Sequence, residues 1–540
     1  MIEQLMAKMT LREKIGQTAM PSPTMLRNEF AQYGGYGEYF QKYPYAGMYI
    51  IKSNMVDADG NAFSTPEEAA AVYKKASEMC KIPLLISCDA ERGAYYLFDE
   101  LHIIANNPLL GASQAKELAY KRTYYYAREL KRCGVNWPFG PVIDVISNFF
   151  TTGGVRCFSD DPDKIISMIP SVIKGYHDAG IACCTKHFPS NASKEYRDSH
   201  IANTMNTATL EEWKERCGRT WKAAMDAGAD GFMTSHATFP AVEPGRTPNG
   251  GYIPSTVSKN VLDLAREYLG YDGVMITDDI GMGSLSSAYD RKDLYVNALN
   301  AGNDIVLFCR GDYIDVVEEA VKEGRVSEER INQAVRRVLK LKEKLGLFDG
   351  IKQEPPLTEE ENRDFERVNY ELAQKGMTLI TNNTIPFDQK KVKNAAIITI
   401  SPDARFVTQL EDMVAAFASY DINAKVYDGL NSKEELQEIA ENNDIIIYAC
   451  LLTGGYGNIP WFSTAKDMRT LFNRLSFGAD KSVVASFGIP SIYYNYFENV
   501  GTYINAYSND KSTMRAFVDG ILGKFEFTGK SPVALKPEFK

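Results

Sequence analysis

Short apolar runs alternate with longer amphipathic stretches over the first two thirds of the chain. The runs are apolar on both faces and end in polar side chains, which is the pattern of buried parallel strands. The stretches between them, such as 210–228 and 291–302, have the periodicity of helices. The seven clearest runs are 46–51, 83–89, 134–139, 181–188, 231–236, 273–278 and 304–309.

Seven strand–helix units predict an α/β fold class with an N-terminal (β/α)8 TIM-like barrel at residues 1–350. The pattern does not identify an eighth strand, so either the barrel is irregular or this strand lies in the first or last segment. A doubly wound sheet is the alternative, although an open sheet with so many units is less usual.

A stretch rich in Gly, Pro and charged residues, 348–356, predicts a domain boundary. A helical run over 358–375 follows, and residues 351–394 are predicted to form a linker with a linking helix. Five further apolar runs predict a smaller α/β sandwich domain at 395–540. These runs are 395–400, 424–427, 444–448, 482–486 and 501–506.

Composition narrows the function classes. A net charge of −10 without a Lys/Arg-rich run argues against nucleic-acid and membrane partners and is compatible with a neutral carbohydrate substrate. Nine cysteines, several inside apolar runs and none at zinc-type spacing, predict reduced thiols and neither a metal nor another cofactor. Residues 1–17 lack the features of a signal peptide, so a cytoplasmic protein is expected.

Polar side chains follow most of the predicted strands. Because reactive groups of a parallel barrel lie at the C-terminal ends of its strands, these residues are candidates for an active site. They are Asp89, Glu91, Asp144, Lys186, His187, His236, Asp278 and Asp279.

Two adjacent carboxylates, Asp278 and Asp279, follow four apolar residues. Adjacent side chains on a strand point to opposite sides, so one carboxylate can face the barrel opening while the other makes structural contacts. A helix N-cap is the alternative for this pair, and it suits Asp279 better than Asp278.

His200 lies two residues after Asp198, in the loop that follows the predicted strand at 181–188. At this spacing a carboxylate can hydrogen-bond an imidazole, orient the ring and favour its protonated form, as a general acid near neutral pH requires. A solvated polar loop is the alternative, because residues 194–198 are rich in charge.

Together these motifs resemble those of glycoside hydrolase family 3, in its two-domain β-N-acetylglucosaminidase type. The matching pieces appear in family order and extend over nearly the whole chain. They are 9–17, Asp89-Ala-Glu-Arg-Gly93, 134–136, 140–144, Gly154-Val-Arg-Cys-Phe158, Lys186-His-Phe-Pro189, Asp198-Ser-His200, Ser235-His236, Thr277-Asp-Asp-Ile-Gly-Met282 and 529–533.

The resemblance implies that Asp278 is the nucleophile and that His200 is the acid/base, held by Asp198. The implied reaction is double displacement with retention by an exo-acting β-N-acetylglucosaminidase. The resemblance also implies residues that bind sugar hydroxyls and residues that line the first sugar subsite. The former are Asp89, Arg156, Lys186 and His187, and the latter are His236 and Met282.

Some positions depart from the family pattern. The segment 190–197 has no glycine, which predicts a differently shaped loop, and Arg92 and Leu97 replace a family glycine and arginine. A β-glucosidase, an N-acetylglucosaminide phosphorylase that uses inorganic phosphate, and a catalytically degenerate sugar-binding protein therefore remain alternatives. The loop 453–462 is expected either to reach over the barrel opening or to lie at the edge of the core.

Overall fold

The computed structural model describes residues 1–146, 152–191, 197–428, 432–453 and 478–536. Most of the predicted loops at 190–197 and 453–462 therefore lie outside the described residues. The chain forms two compact units, each an α/β structure. The first unit comprises Met1–His102, Thr123–Asp144 and Ile169–Glu359, and the second comprises Ile103–Arg122, Val145–Met168 and Glu360–Lys540.

The strands of the first unit pair in parallel ladders, β1 with β7, β2 with β3, and β4 with β5 and β6. Six of the seven predicted runs contain one of the strands β2 to β7, whereas the hydrophobic pattern did not identify β1. The strands are β1 (Ala19–Pro21), β2 (Gly47–Tyr49), β3 (Leu85–Ser87), β4 (Cys184–Phe188), β5 (Gly231–Thr234), β6 (Val274–Thr277) and β7 (Val306–Cys309).

Backbone hydrogen bonds link neighbouring ladders to one another. The Ala46 N–H, next to β2, donates to the Ala19 carbonyl of β1 at 2.9 Å. The Thr277 N–H of β6 donates to the Ile305 carbonyl, next to β7, at 3.0 Å. These bonds connect β1 to β2 and β6 to β7.

The predicted run at 134–139 does not form a regular strand, although it lies between β3 and β4. The Trp137 N–H donates to the Ile86 carbonyl at 3.1 Å, and the Cys184 N–H donates to the Pro138 carbonyl at 3.2 Å. Because Pro138 has no N–H to donate, a regular ladder is interrupted here. The segment thus takes the position of a strand without strand geometry.

Helices connect the strands. The predicted helices at 210–228, 291–302 and 358–375 are present, the first with a π-helical turn at Lys214–Gly218. The α-helices are Ile2–Met6, Leu11–Gly16, Pro23–Glu29, Tyr36–Lys42, Pro66–Met79, Asn107–Ser113, Lys116–Arg132, Pro162–Asp178, Leu210–Trp213, Arg219–Asp226, Lys259–Asp263, Gly283–Ser286, Arg291–Ala301, Tyr313–Lys322, Glu328–Lys344, Glu359–Gly376, Arg405–Gln409, Glu411–Ala418, Lys433–Asn442 and Lys511–Ile521.

A buried carboxylate anchors the start of β7. Asp304 is fully buried and accepts hydrogen bonds from Arg266 at 2.7 Å, Arg330 at 2.8 Å and Arg337 at 3.2 Å. Burial alone would raise the pKa of Asp304, but the three guanidinium groups outweigh it and the pKa is lowered. Asp304 thereby ties β7 to the helix Glu328–Lys344, which carries two of these arginines.

The same helix carries a buried lysine. Lys342 is fully buried, and its ammonium donates to Gln17 Oε1 at 2.6 Å. Burial lowers the pKa of Lys342 to about 7, because it removes the hydration of the charged form.

The second unit contains one six-stranded sheet with the order β10-β9-β11-β12-β13-β8. Strands β9 to β13 are parallel and correspond to the five predicted runs, whereas β8 pairs antiparallel with β13 and was not predicted. The strands are β8 (Thr378–Thr381), β9 (Asn394–Ile400), β10 (Asn423–Asp428), β11 (Ile445–Cys450), β12 (Ser482–Ser486) and β13 (Tyr503–Asn505).

Two further sequence expectations concern thiols and membranes. None of the nine cysteines forms a disulfide, and seven are buried, as expected for thiols in apolar runs. In the part of the chain that is described, no helix combines the length and apolar character needed to cross a bilayer.

Candidate active site

Strand β4 brings Lys186 and His187 to its C-terminal end. Its register with β5 shifts between Lys186 and Phe188, so that His187 is an extra residue in the ladder. Bulges of this kind redirect side chains and are common next to active sites. Both side chains are nearly buried, Lys186 at 3% and His187 at 6% exposure.

The end of β4 is anchored by two buried tryptophans. Trp213 Nε1 and Trp221 Nε1 both donate to the Pro189 carbonyl, at 2.9 and 2.8 Å. The Phe188 ring packs edge-on against both indoles, with centroid distances of 6.2 and 5.1 Å. These contacts hold the backbone that follows Lys186 and His187.

Lys186 lies between two carboxylates. Its ammonium contacts Asp89 Oδ1 at 2.5 Å and Glu91 Oε1 at 2.8 Å. The second carboxylate oxygen of Asp89 accepts a hydrogen bond from the Tyr49 hydroxyl at 2.9 Å. The Asp89 side chain is 42% exposed, so it retains acceptor capacity toward a ligand.

His187 lies between Asp144 and Asp278. Its Nδ1 is 2.7 Å from Asp144 Oδ2, and its Nε2 is 3.9 Å from Asp278 Oδ2. An ionised carboxylate only accepts hydrogen bonds, so the Nδ1 that faces Asp144 carries a hydrogen. The other nitrogen faces Asp278.

Asp278 follows directly on β6 and is positioned by its backbone neighbours. The Asp278 N–H donates to the Thr234 carbonyl of β5 at 3.2 Å, and the Asp279 N–H donates to Asp278 Oδ1 at 2.8 Å. Burial would raise the pKa of Asp278, but His187, His236 and other positive or donor groups outweigh it, so the pKa is lowered. Asp278 is therefore an anion at neutral pH and is 24% exposed.

Asp279 makes structural contacts, as the alternation along a strand predicted. Its Oδ1 accepts from the Gly281 N–H at 2.8 Å, which closes a turn. The alternative prediction of a helix N-cap was wrong for Asp279, because Met282 is the N-cap of the helix Gly283–Ser286. Burial raises the pKa of Asp279 above its ordinary value.

His236 is fixed by hydrogen bonds on both nitrogens. Its Nε2 is 2.9 Å from the Asp279 carbonyl, and its Nδ1 is 2.6 Å from Thr256 Oγ1. Burial lowers the pKa of His236 below its ordinary value. A carbonyl only accepts, so Nε2 carries a hydrogen, while Nδ1 contacts the Thr256 hydroxyl. Both polar atoms of His236 are thus used within the protein.

The predicted dyad is present. His200 Nδ1 is 2.6 Å from Asp198 Oδ1, and the His200 N–H donates to the same oxygen at 2.9 Å. The Asp198 side chain is 9% exposed and that of His200 is 36% exposed. The carboxylate therefore holds a ring that stays accessible to solvent.

The dyad loop is attached to the segment that follows Asp278. The Gly283 N–H donates to the His200 carbonyl at 2.8 Å, and the Ser284 N–H donates to the Ser199 carbonyl at 3.3 Å. A Cβ at position 283 would lie 2.8 Å from the His200 carbonyl oxygen, so only glycine permits this approach. These bonds attach the described part of the loop to the segment that follows Asp278.

The remaining predicted residues lie in different places. Met282 is buried at the N-terminus of the helix Gly283–Ser286, four residues after Asp278. Arg156 belongs to the second compact unit, where its backbone carbonyl accepts from Asn107 Nδ2 at 2.7 Å. Its role in sugar binding stays a prediction.

Several residues next to the site were not predicted from the sequence. Tyr49 contacts Asp89. Asn191 contacts Asp144 directly, and Ser235 contacts Asn191. The position of Tyr49 at the end of an apolar run was an available signal. Asn191 carried no such signal, because it lies in a polar loop.

Comparison with known proteins gives a consistent result. Residues 10–341 match the family model described as the glycosyl hydrolase family 3 N terminal domain. A β-N-acetylglucosaminidase/β-glucosidase of Cellulomonas fimi is 26% identical over 502 residues, which cover 87% of this chain and 86% of the relative. A β-hexosaminidase of Stenotrophomonas maltophilia (strain K279a) is 28% identical over 284 residues, 51% of this chain and 80% of the relative.

Solved structures are similar over nearly the whole chain. A glycoside hydrolase family 3 β-N-acetylglucosaminidase from Paenibacillus sp. str. FPU-7 has a TM-score of 0.79 and 25% identity, covering 98% of this chain and 99% of that chain. The β-glucoside phosphorylase BglX has a TM-score of 0.82 and 21% identity, covering 99% and 95%. The second likeness concerns the fold alone.

Proposed function

Because this chain belongs to glycosyl hydrolase family 3, we propose that it is a retaining, exo-acting β-glycoside hydrolase, with β-N-acetylglucosaminides as its substrates. The carrying observation is the pairing of an anionic carboxylate, Asp278, with the His200–Asp198 dyad on a loop bonded to the segment after Asp278. The β-N-acetylglucosaminidase and β-hexosaminidase relatives support the choice of sugar.

The proposed reaction has two steps. In the first, an Asp278 oxygen bonds to the anomeric carbon, the bond to the leaving oxygen breaks, and His200 gives that oxygen a proton. In the second, His200 takes a proton from water, whose oxygen bonds to the anomeric carbon and releases Asp278. Two displacements restore the original configuration, and Asp198 keeps the His200 ring oriented in both.

The proposed sugar contacts surround Asp278. Lys186, His187 and Asp89 bind hydroxyl groups through charged hydrogen bonds. The 42% exposure of Asp89 supports its role as an acceptor. Met282 and His236 line the first subsite, and His236 does so with its carbon atoms, because both of its nitrogens are bonded within the protein.

For the architecture, we propose a (β/α)8 barrel followed by an α/β sandwich domain, with boundaries at 1–350, 351–394 and 395–540. The parallel pairing of β1 with β7 and the bonds between neighbouring ladders support closure of the barrel. The irregular segment at 134–139 acts as the eighth strand in this proposal. The order of the sheet in the second unit supports the sandwich.

Phosphorolysis is the second candidate reaction. A deprotonated histidine acid/base is neutral, whereas the usual carboxylate acid/base is negatively charged. The histidine therefore does not repel an incoming phosphate near the anomeric carbon. In that case inorganic phosphate replaces water in the second step, and the product is a sugar phosphate.

A panel of aryl β-glycosides, assayed with and without inorganic phosphate, tests these proposals. Turnover of the N-acetylglucosaminide at least tenfold faster than the glucoside supports the proposed hydrolase. A sugar phosphate formed only with phosphate identifies a phosphorylase, and a preference for the glucoside identifies a β-glucosidase. If the chain binds sugars but turns over no member of the panel, the enzyme proposal fails and a sugar-binding protein takes its place.

A further inference from the structure

Asn191 contacts two polar residues beside His187, Asp144 and Ser235. Its backbone N–H donates to Asp144 Oδ1 at 2.8 Å, and its side-chain Nδ2 donates to Asp144 Oδ2 at 3.1 Å. Its Oδ1 accepts from the Ser235 hydroxyl at 3.1 Å. We propose that Asn191 is a positioning residue that fixes the Asp144–His187 pair and thereby what His187 presents to Asp278. Its effect on turnover rests on the proposed function.

The hydrogen bonds of Asp144 leave little freedom. Its Oδ2 accepts from His187 Nδ1 at 2.7 Å as well as from Asn191 Nδ2, and its Oδ1 accepts from the Asn191 backbone. The carboxylate has no hydrogen to offer, so three donors converge on it. The two side-chain donors lie 3.1 Å apart around the shared oxygen. Asn191 therefore limits where the His187 ring can lie.

Ser235 fixes which way the Asn191 amide points. The Ser235 hydroxyl accepts from the Ala237 N–H at 3.1 Å and donates its one hydrogen to Asn191 Oδ1 at 3.1 Å. With the oxygen engaged by Ser235, the amide nitrogen must face Asp144. The amide thus connects the end of β5 to the carboxylate that holds the His187 ring.

The far side of that ring faces Asp278. His187 Nε2 is 3.9 Å from Asp278 Oδ2, so a small rotation of the ring changes the field at this carboxylate. Removing a residue that orients a metal-binding histidine from behind commonly costs about 10- to 100-fold in activity, and we expect a loss of similar size for the histidine that faces Asp278. Asn191 acts through His187 and needs no contact with the sugar.

Two substitutions separate the roles of the Asn191 amide. Asn191→Ala removes the side-chain bonds to Asp144 and Ser235 but keeps the backbone bond to Asp144. Asn191→Asp keeps an acceptor for Ser235 but replaces the donor to Asp144 with a second negative charge, which repels Asp144 and favours a protonated His187 ring. Ser235→Ala leaves the amide unanchored and is the mildest change.

The kinetic experiment measures kcat, KM and the pH profile of kcat/KM on an aryl β-N-acetylglucosaminide. For Asn191→Ala we expect kcat to fall about 10- to 100-fold with KM within about threefold. Asn191→Asp should lose more and shift the pH profile, and Ser235→Ala should lose less. Unchanged pH profiles in all three variants would overturn the proposal.

A second readout does not depend on turnover. The chain has five histidines, so ring-¹⁵N-labelled protein gives few signals, and His187→Gln identifies the signal of His187. We expect the His187 Nδ1 signal to shift in Asn191→Ala while the other four histidine signals and the unfolding midpoint change little. An unmoved His187 signal in folded Asn191→Ala overturns the positioning role. If wild-type protein turns over no glycoside but the signal still shifts, only the proposed function fails.

Discussion

At the scale of single residues, the two adjacent carboxylates after β6 differ in their surroundings. Positive groups around Asp278 lower its pKa, whereas burial raises that of Asp279, whose side chain closes a turn. One carboxylate therefore remains ionised and partly accessible, and the other has a structural use. This difference in environment separates a nucleophile from its neighbour.

The pair gives a matched test of the nucleophile. Asp278→Asn should reduce kcat by roughly 1,000-fold or more, because an amide does not form the covalent intermediate. Asp279→Asn keeps an oxygen that can accept from the Gly281 N–H and should retain most of the activity. Single-turnover assays of both variants, with unfolding midpoints as a check on folding, measure the difference. Comparable losses in the two variants would remove Asp278 from its assigned role.

The loss of activity on substitution of His200 should depend on the leaving group of the substrate. For His200→Ala we expect roughly a 100- to 10,000-fold loss on glycosides with poor leaving groups and a much smaller loss on activated aryl glycosides, because only the former need a proton. A plot of log kcat/KM against leaving-group pKa measures this, and its slope should steepen in the variant. A parallel plot for wild type and variant would contradict the acid role.

Site residues were predictable where a strand end or a motif carried them. The end of an apolar run revealed Asp278 and Lys186, and the spacing of two residues revealed the His200–Asp198 pair. Asn191 was not recognised, and Ser235 was recognised only as part of a motif without a role, because their side chains meet in the folded chain and their spacing in the sequence does not indicate this contact. The direction of a side chain is set by tertiary packing, which a one-dimensional pattern does not contain.

At the scale of elements, the two tryptophans behind β4 share one acceptor. Either indole alone leaves the Pro189 carbonyl with a partner, so Trp213→Phe and Trp221→Phe should each cost about 1–3 kcal/mol, from lost packing and one bond. The double variant should cost more than the sum by about 0.5–3 kcal/mol, because a buried carbonyl is then left without a donor. Urea unfolding of all four proteins measures the coupling, and strict additivity would contradict it.

Strands were predictable when they lay within a run of several apolar residues. Runs such as 273–278 and 395–400 satisfy this condition, and each contains a strand. The missed strands do not lie in such a run: β1 is the three-residue segment Ala19–Pro21, and β8 is a half-buried edge strand of four residues. The run at 134–139 has the apolar pattern of a strand but does not form a regular hydrogen-bonded ladder, because Pro138 interrupts it. Hydrophobic periodicity reports burial, and hydrogen-bonding geometry is a separate condition.

At the scale of the whole molecule, the two compact units are assembled from interleaved pieces of chain. Residues 103–122 and 145–168 group with the second unit, although they precede much of the first. Hydrophobic periodicity indicates whether a segment forms a helix or a strand, but it does not indicate which of the two units the segment joins. The linear domain boundaries proposed above thus depend on contacts that no local pattern encodes.

Acid should destabilise the first unit through Asp304. Its folded pKa lies below the ordinary value of 3.8, so its contribution is complete above about pH 4 and is lost as the pH falls through the lowered pKa. At pH 7, Asp304→Asn should cost about 3–5 kcal/mol, because it leaves three arginines without their shared charge. This cost should shrink below pH 4, and denaturant unfolding at several pH values measures it.

An exposed aspartate provides the control for Asp304. Asp272 also pairs with Arg337, but its side chain is 67% exposed. Asp272→Asn should therefore cost less than about 1 kcal/mol at pH 7. If the two substitutions cost the same, the buried cluster is not a special source of stability.

The buried Lys342 has a consequence for the heat of unfolding. Its pKa is about 7 in the folded chain and returns toward 10.5 when the chain unfolds. Between these values the folded amine is neutral and the unfolded one is charged, so unfolding near pH 8.5 takes up a proton from the buffer. The calorimetric enthalpy should then vary with the ionisation enthalpy of the buffer, and this dependence should diminish in Lys342→Met.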